Sequence, residues 1–216
     1  MYLPFIFRKD EDMITKISRK LAVTLSTYSG RKNEVDYLRY GIEILLSGWI
    51  KVMTLLAAAY ILGLFQPLVC VLFTFSFFRT LTGGHHYSTY MRCLTAGLVI
   101  MIGASYTAKW AGPFIHTQTL FILVCLSALF GLFLAYRFAP SNHFYKKCTE
   151  KQKKTLRKFA FFAIIIWFLL MYTFISIDHS KELIFASILG FVFQMGSIHP
   201  YTYKVVYKIE AVLDRR

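Results

Sequence analysis

Six apolar runs, at about 42–64, 66–81, 93–112, 117–137, 159–177 and 183–198, dominate this chain and leave few ways for it to fold. A helix crossing about 30 Å of hydrocarbon needs roughly 20 residues, and the fourth and fifth runs meet that length cleanly. Pro67, Pro113, Pro140 and Pro200 fall near run ends, where proline is tolerated. The 216 residues are 56% hydrophobic and 18% aromatic, more apolar surface than a soluble domain of this size could bury. The reading is an all-α integral membrane protein with about six transmembrane helices.

Charge sets the expected topology. Lys and Arg number 25 against 11 Asp and Glu, a net +14, and they sit in blocks between apolar runs. With both termini cytoplasmic, the inner segments 1–39, 79–92, 137–158 and 199–216 hold 8, 2, 8 and 4 of the 25. The outer connections hold only Lys109 and Lys181, and Lys51 lies within the first run. This is a strong positive-inside pattern with six crossings, and it explains the basic charge better than a nucleic-acid partner does.

Before the first span, Ile14, Ile17, Leu21 and Leu25 recur at helical spacing, with Lys16, Arg19 and Lys20 on other faces. An amphipathic helix on the inner membrane surface is expected there, the alternative being a solvated helix on cytoplasmic loops. One membrane-embedded domain follows over 1–216: an amphipathic region at 1–39, a six-helix core at 40–198 and a cytoplasmic tail at 199–216. The short apolar stretch at the N-terminus, followed by its basic residues, does not read as a signal peptide. Cys70, Cys93, Cys125 and Cys148 lack paired spacing, so no disulfide framework is expected. Ala186 and Gly190 fit a small-xxx-small contact, a motif common by chance.

Chemistry concentrates in the polar interruption at 79–93, which carries Gly83, Gly84, His85, His86 and Cys93 with Arg79 and Arg92. The preceding run, Gln66 to Thr82, reaches only about 25 Å as a helix. Either the bilayer thins there or the Gly83-Gly84 turn enters the inner leaflet, where irregular backbone needs protein or water around it. His86 and Cys93 are seven positions apart, so on one straight helix they would stand about 10 Å apart along the axis, too far for proton transfer. A productive pair requires a bend. Gly83-Gly84 supplies free backbone geometry, and Ser88 or Thr89 can cap the third span. Cys93 then falls in early helical turns, where the positive helix end, Arg92 and a folded-back imidazole all favour a thiolate nucleophile for acyl transfer.

The residues Arg79, Gly84, His86 and Cys93 at this spacing resemble the motif of the accessory gene regulator B family, membrane cysteine endopeptidases that process quorum-sensing propeptides. The flanks are similar too: Tyr40-Gly41-Ile42-Glu43 opens the first span and Ala139-Pro140 begins a basic loop after the fourth. The resemblance extends over roughly residues 13 to 200. It implies His86 as general base, with His85 the competing base, and Cys93 as nucleophile. It implies cleavage of a C-terminal segment from an autoinducer propeptide through a Cys93 thioester, then ring closure to a thiolactone or lactone. The propeptide expected is short, with an amphipathic N-terminal helix and a charged C-terminal region. A homodimer in the bacterial cell membrane, with its active site on the cytoplasmic side, is also implied.

Arg79 is expected to hold a substrate carboxylate, support the loop or snorkel, and backbone N–H groups near Gly84 are oxyanion candidates. Glu43 is placed either to orient His86 or at the interface. Lys146, Lys147, Lys151, Lys153 and Lys154, in a loop that carries eight basic residues against Glu150, can grip an acidic propeptide tail or anionic lipid. No cofactor and no metal are expected. Two other classes stay open: a zinc centre among His85, His86, Cys93, His143 and Cys148, and a peptide transporter or scaffold without protease activity.

Overall fold

The computed structural model describes residues 13–29, 35–85, 87, 89–141 and 149–214. Of the described residues, 89% are helical and none is in a strand. In order, the helices are α1 (Met13–Ser29), α2 (Val35–Ile61), α3 (Phe65–Thr82), α4 (Tyr90–Ala111), α5 (Thr117–Phe138), α6 (Glu150–Ser176), α7 (Lys181–Ser197) and α8 (Pro200–Leu213). Five of them, α2 to α6, are long and apolar enough to cross a membrane, and α7 with α8 makes a sixth candidate bent by 80°. The protein is a multi-pass helical membrane protein.

Two compact units divide the chain, Met1–Thr54 and Leu55–Arg216. In the first, α1 buries Ser18, Ala22 and Ser26, one small residue per turn, while Ile17, Leu21 and Leu25 stay about half exposed. An apolar stripe left open in this way is what an interfacial helix requires. The start of α2 is tied by charge: Arg39 pairs with Glu43 at 3.3 Å and with Asp36 at 3.7 Å. Thr15 Oγ1 donates to the other Glu43 oxygen at 3.1 Å. The Glu43 carboxylate thus has partners of its own within this unit.

In the second unit α7 is the central helix, touching α3, α4, α5 and α6. Gly190 makes this possible on the α3 side, since a Cβ there would stand 2.5 Å from the Val71 carbonyl oxygen. Ala186 is fully buried on the same side, so the small-residue stripe is a contact within the chain. On the α5 side, Gly131 leaves room for the Phe191 ring, which stacks on Trp167 at 4.2 Å and meets the edge of Phe78 at 4.7 Å. The buried Ser187 hydroxyl is shared by Thr74 at 3.0 Å and Trp167 Nε1 at 2.9 Å. Dispersion and such polar ties, more than water exclusion, hold helices together in lipid.

Three helices start outside their apolar runs. α2 begins seven residues before the first run, α4 three before the third and α6 nine before the fifth. Capping explains the last: Thr149 and Gln152 form a reciprocal capping box, so α6 starts in Glu150-Lys-Gln-Lys-Lys before it turns apolar. Hydropathy marks where a helix enters lipid, not where it begins. The segment expected as a cytoplasmic tail from 199 is likewise helical from Pro200 to Leu213, with Pro200 opening α8 after the break at His199.

Candidate active site

The polar segment is anchored at the end of α3. Gly83 caps this helix with φ of 74°, its N–H donating to the Arg79 carbonyl at 2.9 Å. Gly84 follows at φ of 151°, a backbone state that side chains rarely adopt. A Cβ on Gly84 would also stand 2.8 Å from Ser197 Oγ and 2.9 Å from the Arg79 guanidinium. Arg79 in turn donates from its guanidinium to the His85 carbonyl. The loop is therefore braced against its own helix.

Gln194 of α7 completes the anchor. It is 0% exposed, and its Nε2 donates to the Gly83 carbonyl at 2.6 Å and to Thr82 Oγ1 at 3.0 Å. Ser197 Oγ, the atom against Gly84, donates to the Gln194 carbonyl at 2.7 Å. The Thr82 carbonyl accepts from the Ser141 N–H at 3.0 Å, which ties the loop after α5 to the same point. Arg157 Nε steadies that loop by donating to the Ala139 carbonyl at 2.8 Å. Gln194 and Ser141 were not among the sequence candidates. The signal for Gln194 was there: it is the one amide in the apolar run at 183–198, and buried polar groups in spans tend to be functional.

On the other side of the segment, α4 begins at Tyr90 with Thr89 as its cap, Thr89 Oγ1 accepting from the Arg92 N–H at 3.4 Å. The Cys93 N–H donates to the Thr89 carbonyl at 3.1 Å, so Cys93 stands in the first turn, half-buried. Arg79, Tyr87 and Tyr90 all lie within electrostatic reach of Cys93. Arg92 pairs with Asp214, which caps the end of α8, at 2.6 Å. Gly83, Gly84, His85, Tyr87 and Thr89 belong to neither helix, so no unbroken helix runs through positions 86 to 93. His86 and Ser88 themselves lie outside the described residues.

His85 is wedged between Tyr203 of α8, at 5.1 Å between ring centroids, and Tyr87 at 5.7 Å. Burial holds its imidazole below the usual histidine range, Glu210 works against this, and the Arg79 charge adds to it. Burial also pushes the Tyr87 phenol up, helped by Cys93 and Glu210. The competing base is thus a half-buried ring, pushed toward its neutral form, between two aromatic side chains.

Of the basic candidates, Lys151 and Lys154 are exposed on the first turns of α6, and Lys153 pairs with Glu150 at 2.8 Å. Lys146, Lys147, His143 and Cys148 lie outside the described residues, as does His86 of the zinc alternative. Cys70 donates its thiol to the Leu183 carbonyl at 3.2 Å, and Cys125 is half-buried in α5.

A helical multi-pass protein with a polar segment braced between two of its spans is the class that these features define. The model of the accessory gene regulator B family matches residues 14–198, and the chain belongs to that family. It is 27% identical to AgrB-like protein 2 of Clostridium perfringens (strain 13 / Type A) over 151 residues, 68% of this chain and 70% of the relative. An AgrB-like protein of Clostridium perfringens (strain SM101 / Type A) is 26% identical over 152 residues, 68% of this chain and 69% of that one. No solved structure gives a significant match. Family membership supports a role in agr quorum-sensing peptide processing.

Proposed function

We propose that the chain is a cysteine endopeptidase of the cell membrane that cleaves an autoinducer propeptide and closes its ring, working on the cytoplasmic face. Cys93 is the nucleophile and His86 the general base. The observation that carries the reading is the position of Cys93 in the first turn of α4, within electrostatic reach of Arg79, the residue that braces the glycine turn before it. A helix start presents free N–H groups and positive charge to an anion, which suits both a thiolate and the oxyanion that forms when it attacks.

The steps balance in protons. His86 takes the Cys93 thiol proton, and the sulfur attacks the carbonyl carbon of the scissile bond. The C–N bond breaks, the imidazolium returns its proton to the leaving amine, and a Cys93 thioester remains. A cysteine or serine of the peptide then gives its proton to His86 and attacks the thioester carbonyl; the C–S bond breaks as the ring closes, and the imidazolium returns that proton to the departing Cys93 thiolate. Transfer from thiol to thiol is close to balanced, and a water-poor pocket protects the thioester from hydrolysis. Arg79 serves as the brace of the loop, since its guanidinium lies on the His85 carbonyl and against Gly84. Lys151 and Lys154, exposed on α6, together with Lys146, Lys147 and Lys153, attract the acidic end of the propeptide.

The test uses the purified protein in lipid vesicles with a synthetic peptide that has an amphipathic N-terminal helix, a central cysteine or serine and a charged C-terminal region. Cys93→Ala and His86→Ala abolish cleavage, while Cys70→Ala, Cys125→Ala and Cys148→Ala retain it. A thioester trapped on Cys93 is released by hydroxylamine. Full cleavage by Cys93→Ala would sink the mechanism.

A further inference from the structure

The family match ends at residue 198, and α8 starts two residues later, yet α8 touches the polar segment at both ends. Near its start, Tyr203 sets its ring edge-on to His85 and stands within electrostatic reach of Arg79. Two turns on, Glu210 lies within electrostatic reach of His85 and Tyr87. One turn further, Asp214, which follows α8, accepts the 2.6 Å bond from Arg92, the residue before Cys93. Positions 203, 210 and 214 share one helix face with buried Val206. The stripe Tyr201, Val205, Ile209 and Val212 on another face is exposed. The 80° bend from α7 lays α8 across the end of the bundle. The Tyr203 hydroxyl has no hydrogen-bond partner among the described residues, so its ring makes the contact with His85.

We propose that α8 is a working part of the site and that Tyr203 is a positioning residue. Through the His85 ring it holds the stretch between Gly84 and Tyr87 that carries His86, while the Arg92–Asp214 pair holds the first turn of α4 that carries Cys93. This rests on the peptidase reading above. Removing the Tyr203 ring takes away the contact that holds His85, the residue before the base, without changing the α6 lysines that attract the propeptide. Chemistry therefore slows and affinity does not.

The experiment is single-turnover thioester formation on Cys93 in vesicles. Its probe is a synthetic peptide with an amphipathic N-terminus, a central cysteine or serine and a charged tail. Tyr203→Ala lowers the rate at saturating propeptide at least tenfold and leaves the apparent affinity within threefold. Tyr203→Phe keeps the ring contact and stays within threefold of the unaltered protein. Asp214→Asn, at an exposed position that cannot unfold the core, slows the same step severalfold and decides the matter if Tyr203→Ala does not fold. Unaltered rates in Tyr203→Ala and Asp214→Asn, or a loss confined to affinity, overturn the assignment of α8. Cys93→Ala, run in parallel, separates the two ideas. If it still cleaves, the peptidase reading fails; if it is inactive while the α8 variants are not, only the α8 proposal fails.

Discussion

Gln194 shows how one buried amide holds a loop in place. It meets Gly83 with a donor at 2.6 Å in a region where water is scarce. Leaving a buried carbonyl without its donor costs about 1–3 kcal/mol. Gln194→Leu is expected to lower thermal stability in detergent by that amount and to reduce propeptide cleavage at least tenfold, because the loop carrying Gly84 and His85 loses its tie. Wild-type cleavage by this variant would show that the tie is dispensable. His85 gives a second expectation. Its folded-state imidazole is held below the usual range by burial, so the folded loop favours the neutral ring. The stability this contributes is present above roughly pH 6.5, the ordinary histidine value, and is lost as pH falls below it. Hydrogen exchange at residues 83–90, corrected for intrinsic rates, should accelerate between pH 7 and pH 5. His85→Gln should flatten that dependence. At this scale the sequence was readable where chemistry is local: Thr89 as a cap and Gly83-Gly84 as a turn follow from residue type. The Gln194–Gly83 bond joins positions 111 apart and has no local signature.

At the scale of elements, the crossing of α3 and α7 depends on a missing side chain. A Cβ at Gly190 would meet backbone atoms of Val71, which cannot turn aside as a flexible side chain could. Gly190→Val is expected to fall at the upper end of the about 1–3 kcal/mol typical of overpacking, or beyond it. Because Gln194 lies one turn further along α7, cleavage should fall with it. A variant as stable and active as the unaltered protein would show that α7 does not need close approach to α3. The apolar runs located these helices to within a few residues at their lipid-embedded ends. They missed the polar starts of α2 and α6 because a capping box and side-chain ion pairs extend a helix into water without changing its hydropathy.

For the whole molecule, the charge pattern carries a prediction that the helices alone do not. With 22 of 25 basic residues on alternate segments, both termini and the 79–93 segment belong on the cytoplasmic side. In a variant without native cysteines, a membrane-impermeant maleimide should label Asp178→Cys in intact cells and label Leu213→Cys only after permeabilisation. The opposite result would invert the topology and with it the side on which the propeptide is cut. The amino-acid sequence by itself determined the class of protein, the spacing of Arg79, Gly84, His86 and Cys93, and the break between α3 and α4. Those follow from apolar length, charge and backbone freedom, each readable over a few residues. Only the tertiary structure decided that α7 is the central helix, that Gln194 and Ser197 brace the glycine turn, and that α8 folds back onto His85 and Arg92. The reason is physical: lipid is as apolar as a helix core, so hydropathy shows which residues leave water and not which neighbour they meet.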